Sequence, residues 1–213
     1  MKLLIIGASK GIGRRTVETA LARGHTVRAM ARKIDALQVE HEALEKVSGD
    51  ALDPAAVASA LEGVDAVIQT LGIAINRSTV LEPVTLFSDA TQLLLQEMAT
   101  AGVRRLIVVT GFGAGDSRIA MSALEQLFHG AILGKIYADK SRQEALIKAS
   151  DTDWTIARPV ILTNFKASGR YQVLETEPVW RNGLISRGDT ADYLVKAAED
   201  PDAIGKEPVL VRG

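Results

Sequence analysis

Cysteine is absent from the 213-residue chain, which excludes disulfides, thiol catalysis, iron–sulfur clusters and cysteine-bound zinc. Histidine is scarce, three residues too widely spaced to form a metal-ligand cluster. Neither sign of charge is in excess. With 25 lysines and arginines against 26 acids, the net charge of −1 supplies no field to hold nucleic acid or an anionic membrane. Long apolar runs are missing too: Leu3, Leu4, Ile5 and Ile6 lead straight into a glycine-rich turn, too short a run for a signal peptide or a spanning helix. These absences point to a cytoplasmic protein that needs no metal, with a small molecule rather than nucleic acid or membrane as partner.

What is present is an ordinary globular composition, 47% hydrophobic and 24% charged, of a length that suits one domain. Aliphatic runs at residues 3–6, 26–31, 65–71, 105–110 and 154–157 lack the alternation of a half-exposed strand. Such runs read as strands covered on both faces. Helical segments lie between them: 14–23 stopped by Gly24, a segment from Pro54 to Gly63, 82–101 stopped by Gly102, and 141–149. Strand alternating with helix predicts an α/β fold, a doubly wound, mainly parallel sheet with helices on both faces. Beyond Pro159 the pattern predicts a small hairpin at 171–174, a helix over 190–199 and a last strand at 209–211.

The first strand runs into Gly7-Ala8-Ser9-Lys10-Gly11-Ile12-Gly13, with a helix beginning near Ile12. Strand, glycine loop and helix in that order form a dinucleotide-binding context. Gly7 permits the tight turn, Gly11 lets backbone N–H groups approach a pyrophosphate, and Gly13 lets helix and strand pack closely. Ser9, Lys10 and Ile12 complete this candidate phosphate cradle.

The spacing G-x-x-x-G-x-G resembles the short-chain dehydrogenase/reductase superfamily. The resemblance continues in Ser48-Gly49-Asp50-Ala51-Leu52, Thr70-Leu71-Gly72 and Val108-Val109-Thr110-Gly111. It implies that Asp50, Ala51 and Leu52 line the adenine, that Thr70, Leu71 and Gly72 stand beside a ribose, and that Thr110 nears the nicotinamide. The stretches 139–144, 153–159 and 186–192 narrow the likeness to the atypical short-chain group, which includes flavin and biliverdin reductases and NmrA-like redox sensors. That group more often has G-x-x-G-x-x-G, whereas Lys10 stands before the middle glycine here. The group's fold is an NAD(P)-binding Rossmann fold, and its backbone contact to the carboxamide corresponds to Pro159, Val160 and Ile161.

Cofactor choice is read at the end of the second strand. An NAD site wants a carboxylate there for the ribose 2′-OH, and this chain has Arg32 and Lys33. Guanidinium suits a 2′-phosphate, and Lys10 lies in the neighbouring loop, so NADP(H) is expected over NAD(H). Asp35 nearby is the alternative, a carboxylate for an NAD ribose.

In standard members of the superfamily a tyrosine acid precedes a ribose-binding lysine by four residues. Here Tyr137 and Lys140 are three apart, and Ile136 occupies the acid position. The catalytic candidates are therefore Lys140, Thr110 and Tyr137, with Tyr137 either a displaced acid or a packing aromatic. Arg158 reads equally as a structural ion pair. Reduction of an isolated ketone needs a proton donor for the developing alkoxide, whereas a quinone or flavin spreads that charge. The expected activity is thus hydride transfer from NADP(H) to a conjugated acceptor. The alternatives are a non-catalytic NADP-binding redox regulator and a nucleotide-sugar epimerase or dehydratase relative. The acceptor pocket is expected from 111–136 and 159–188, with a mobile glycine lid at 111–116 and Phe112, Phe128 and Phe165 as stacking candidates. Leu93, Leu94, Leu95 and Met98 carry apolar surface that leaves a homodimer open beside a monomer.

Overall fold

A computed structural model describes residues 1–74 and 76–213, without the side chains of Arg77, Ser78, Ala123, Leu124, Phe128, His129, Ala131 and Ile132. The Phe128 side chain, expected to face an acceptor, thus lies outside the described residues.

The first strand shows why the apolar runs are continuous. In β1 (Lys2–Ile6), Leu3 and Ile5 join one core and Leu4 and Ile6 the other, because successive strand side chains point to opposite faces. Each such buried side chain contributes roughly 1.5–3 kcal/mol. The same logic places β2 (Thr26–Ala31), β4 (Ala66–Gln69), β5 (Arg105–Val109) and β6 (Asp153–Pro159) beside it in one parallel array. A further strand, β3 (Leu44–Ser48), flanks β2, and β10 (Val209–Arg212) follows β6. With β8 (Tyr171–Leu174) at the far edge, the sheet order is β3-β2-β1-β4-β5-β6-β10-β8, a doubly wound α/β arrangement.

Several elements differ from the sequence reading. The stretch 171–174 is not a hairpin: it forms β8 (Tyr171–Leu174), which pairs antiparallel with β10 at the sheet edge. The short strands β7 (Ile161–Thr163) and β9 (Leu184–Ser186) pair separately in parallel. Helix α1 (Gly11–Ala22) begins on the glycine loop itself, and α2 (Pro54–Leu61) starts at Pro54 under an Asp53 cap. The helix expected at 82–101 starts later, as α4 (Leu86–Ala101), with a separate short α3 (Arg77–Leu81) before it; Pro83 lies between them, and the residue before proline is driven out of the helical region. Helix α5 (Ala123–Lys148) runs far past the expected 141–149, and α6 (Arg187–Glu199) starts from a Ser186 cap. Leu94 and Met98 are fully buried, and Leu93 and Leu95 pack on the same core. Leu93 and Leu95 stay half-buried, so the chain's own fold covers only part of the apolar surface that suggested a second subunit.

Among the described residues no helix is long and apolar enough to cross a membrane. None of them form a group of three or more metal-ligating side chains.

Candidate functional site

The sheet order gathers the expected residues along one edge. Ser9, Lys10 and Gly11 follow β1, Arg32 and Lys33 follow β2, and Asp50, Ala51 and Leu52 follow β3. Thr70, Leu71 and Gly72 follow β4, Thr110 follows β5, and Val160 and Ile161 follow β6. Strand β1 lies between β2 and β4, the switch point where open α/β sheets form their ligand crevice.

The glycines at that crevice divide by role. Gly7 has φ +87 and a Cβ there would meet the Thr70 carbonyl oxygen at 2.8 Å; its amide donates to the Met30 carbonyl. A Cβ on Gly13 would stand 2.2 Å from the Gly7 carbonyl oxygen, so this glycine lets α1 sit directly on β1. Gly11, with φ +60, meets nothing closer than an arginine nitrogen at 4.0 Å. Helix α1 has no side-chain cap from Lys10 and no acid in its first turn. Its leading amides therefore face an open, anion-attracting end, and the local residues fit a dinucleotide's phosphates.

Arg32 and Lys33 are exposed, and neither forms an ion pair among the described residues. Asp35 is exposed on the short turn that follows, which Ile34 anchors to the core. Asp50 accepts from the Leu52 amide at 3.1 Å, bending the chain so that Ala51 is buried and Leu52 is left 46% exposed at the edge. The Thr70 hydroxyl donates to the Ile6 carbonyl at 2.9 Å, tying the ends of β4 and β1 together.

At the far end of the crevice stand the catalytic candidates. Lys140 is buried, its ammonium 3.4 Å from the Val109 carbonyl and 4.2 Å above the Phe87 ring. Burial lowers it from its ordinary value to about 8, against the opposing pull of Glu144 and Asp139. The Tyr137 hydroxyl packs against Gly111, where a Cβ would lie 2.6 Å from its oxygen. Burial, then the Glu144 carboxylate, raises that phenol to about 12, so it stays protonated at neutral pH. Ile136 is buried in a small core beside Val84 and Phe87.

The structure bears on three further expectations. The Thr110 hydroxyl donates to Glu144 at 2.6 Å and its amide to the Ala157 carbonyl, so both donors already have protein partners. The Val160 and Ile161 amides donate to the Leu210 and Gly183 carbonyls, and Pro159 has none, so that stretch offers no free N–H for a carboxamide. The glycine segment 111–116 is not a mobile lid. Phe112 and Ala114 are buried, the Gly113 amide donates to Ser117 Oγ at 2.9 Å, and the Gly115 amide donates to Ser141 Oγ at 3.0 Å. Phe112 is thereby a core residue, while Phe165 stays 65% exposed.

Sequence reasoning missed Glu144, although its spacing of four from Lys140 and seven from Tyr137 puts it on their helix face. It forms a two-pronged pair with fully buried Arg158, at 2.7 and 3.1 Å, and Glu207 reaches the same guanidinium at 2.6 Å. Arg158 is thus a structural charge, closed on one side by Trp180. A groove of about 710 Å³ opens between α1, α6 and the 164–169 segment. It shares the second segment expected of an acceptor pocket and not the first.

Residues 7–201 match the model of a family described as NAD(P)H-binding. The chain belongs to that family. Its resemblance to atypical short-chain reductases is borne out by whole-chain likeness among NAD(P)H-binding family members. ChuY, an anaerobillin reductase from Escherichia coli O157:H7, is 28% identical with a TM-score of 0.81, over 100% of this chain and 97% of that one. Sterol demethylase protein B of Methylococcus capsulatus is 34% identical over 116 residues, which is 54% of this chain and 35% of that protein. The match therefore spans about a third of that relative's length. A short-chain dehydrogenase/reductase of Veillonella parvula, solved with NADP, shares the fold at a TM-score of 0.83 and 16% identity, over 99% and 94% of the two chains. For an NAD(P)H-binding chain the crevice beside β1 is the natural seat of the nucleotide.

Proposed function

We propose that this chain is an NADP(H)-dependent reductase that passes hydride to a conjugated acceptor such as a quinone or flavin. The observation that carries the reading is at the far end of the crevice: Ile136 is buried one turn before Lys140, and the neighbouring Tyr137 is held protonated in a packed setting. A site without a tyrosine poised as acid suits an acceptor that disperses the incoming charge and takes its proton from water. That ChuY, 28% identical, is a reductase agrees with the class.

When bound, a reduced nicotinamide supplies the hydride and is itself oxidised. The α1 amides at 11–13 hold the phosphates. Arg32 and Lys33, assisted by Lys10, present charge-assisted donors to a 2′-phosphate, which favours NADP(H). Lys140, buried beside Val109, orients the nicotinamide ribose through its ammonium, and Leu71 and Gly72 border that sugar. Glu144 and Arg158 keep α5 in register with β5 and β6, so that Lys140 and Tyr137 stay where the hydride leaves.

The test is consumption of NADPH with quinones, flavins and simple aldehydes, followed by loss of reduced-nicotinamide absorbance. Turnover with the first two classes and none with aldehydes is the expected result. No turnover with any acceptor, together with a protein partner bound only in one cofactor redox state, would replace the reductase reading with that of a redox regulator.

A further inference from the structure

Resting on the cofactor reading above, we propose that Arg187 is a second ligand for the dinucleotide's diphosphate, reaching across from the C-terminal half to close over the glycine loop. Its Nε is the nearest atom on the open side of Gly11, 4.0 Å from where a Cβ would be. The guanidinium thus lies beside the start of α1, whose leading amides have no side-chain cap.

The charge balance around Arg187 supports a missing anion. Arg187 is the first residue of α6, at the helix end where the dipole disfavours a cation. The cap there is already made by Ser186, whose hydroxyl accepts from the Asp189 amide at 2.9 Å, so the helix start does not need an arginine. Three other cations line the same groove: Arg15 and Lys196 are neutralised by Glu18 and Asp192, each at 2.7 Å, and Lys166 is exposed on the 164–169 segment. Arg187 has no carboxylate within ion-pair distance among the described residues. Its one hydrogen bond runs from Nη1 to the neutral Asn164 Oδ1, 2.8 Å away. A diphosphate would relieve the unfavourable dipole and accept a forked pair of hydrogen bonds.

The same geometry gives the contact a second consequence. Asn164 begins the 164–169 segment that carries exposed Phe165 and Lys166 along the groove. A guanidinium drawn toward a diphosphate while it holds Asn164 ties cofactor occupancy to the position of that segment.

Calorimetric titration of Arg187→Ala and Arg187→Lys with NADPH and with adenosine 2′-monophosphate, which has the 2′-phosphate and no diphosphate, tests this. Loss of one charge-assisted contact at a partly exposed site predicts NADPH binding weakened about 10- to 100-fold in Arg187→Ala and partly recovered in Arg187→Lys. The monophosphate should bind both variants as it binds the wild type, and the free chain's Tm should stay unchanged. A change under about threefold for NADPH, or an equal loss for both ligands, overturns the assignment. If the wild type binds neither NADPH nor NADH, the cofactor reading itself fails and this inference falls with it.

Discussion

Gly115 and Glu144 touch so closely that only a hydrogen fits between them: a Cβ at 115 would lie 2.0 Å from Glu144 Oε2 and 3.0 Å from the Arg158 guanidinium. The carboxylate is one half of a fully buried ion pair, so a side chain at 115 would push apart two desolvated charges. Gly115 also has φ +51, a backbone conformation that costs a non-glycine residue about 1–2 kcal/mol. Adding displacement of a buried pair, Gly115→Ala should destabilise by about 3 kcal/mol or more. For a chain of this size that is a fall in Tm of about 6–12 °C, read by calorimetry. An unchanged Tm would mean that the pair is not held at this separation.

Lys140 gives the stability a direction in pH. Burial holds it at about 8, below its ordinary 10.5, so between those values the unfolded chain carries more of the proton. Stability then rises as pH climbs from about 8 to 10.5, and the full penalty of the buried charge is present below 8. Lys140→Met removes the titrating group. It should stabilise the free chain by up to about 3 kcal/mol at pH 7, and the gain should fade toward pH 10.5. Urea unfolding of both proteins at pH 7 and pH 10 checks this; a gain independent of pH would contradict it.

The phenol of Tyr137 is the displaced tyrosine candidate in this crevice, and its removal separates two roles. Tyr137→Phe keeps the ring that packs against Gly111 and should leave turnover nearly unchanged, whereas Lys140→Ala should weaken cofactor binding and turnover together. A loss of about 10²-fold or more in Tyr137→Phe, the scale of general acid catalysis, would make Tyr137 the donor after all.

Arg32 and Lys33 have no acidic partner among the described residues, so a 2′-phosphate would be their first. NADPH should bind about tenfold to a thousandfold tighter than NADH, with the difference shrinking as salt is raised. Arg32→Asp should collapse or reverse that preference while NADH binding is little harmed, because the glycine loop still holds the phosphates. Titration of both reduced cofactors decides it. Equal affinities in the wild type would assign the ribose to Asp35 or to backbone.

The parts of the fold that were legible in the sequence are those where local chemistry and burial agree. Leu3 to Ile6 announce a doubly covered strand, and Gly24, Gly63 and Gly102 stop their helices in the left-handed region. Strand β3 leaves no apolar run because it is the sheet's edge: Glu45 and Ser48 are exposed, and Leu44, Lys46 and Val47 are only half-buried. Helix α5 was seen only at its C-terminal third, since its apolar residues do not keep to one stripe and Gly130 and Gly134 interrupt it. The partner of β8 is β10, far along the chain, and no local pattern could name it. The lid reading failed for a related reason. Three glycines in five residues look free until the Ser117 and Ser141 hydroxyls, the latter from α5, take their amides. Of the candidate site, the residues on strand ends were legible because topology places them; Glu144, Arg158 and Arg187 depended on long-range neighbours.

The seam between β1 and β4 has a meaning for the time course of folding. Thr70 and Ile6, 64 residues apart, are joined by a hydrogen bond that closes the floor of the crevice, and only glycine fits at position 7 because the Thr70 carbonyl passes so near. Pairings of such sequence separation are entropically late and slow a chain's folding. Strands β1 and β2 can zip together early, but at that stage the glycine loop has a wall on one side only. The nucleotide seat therefore comes into being with the arrival of β4, so a dinucleotide would act on this protein as a lock on the finished sheet and not as a template for building it.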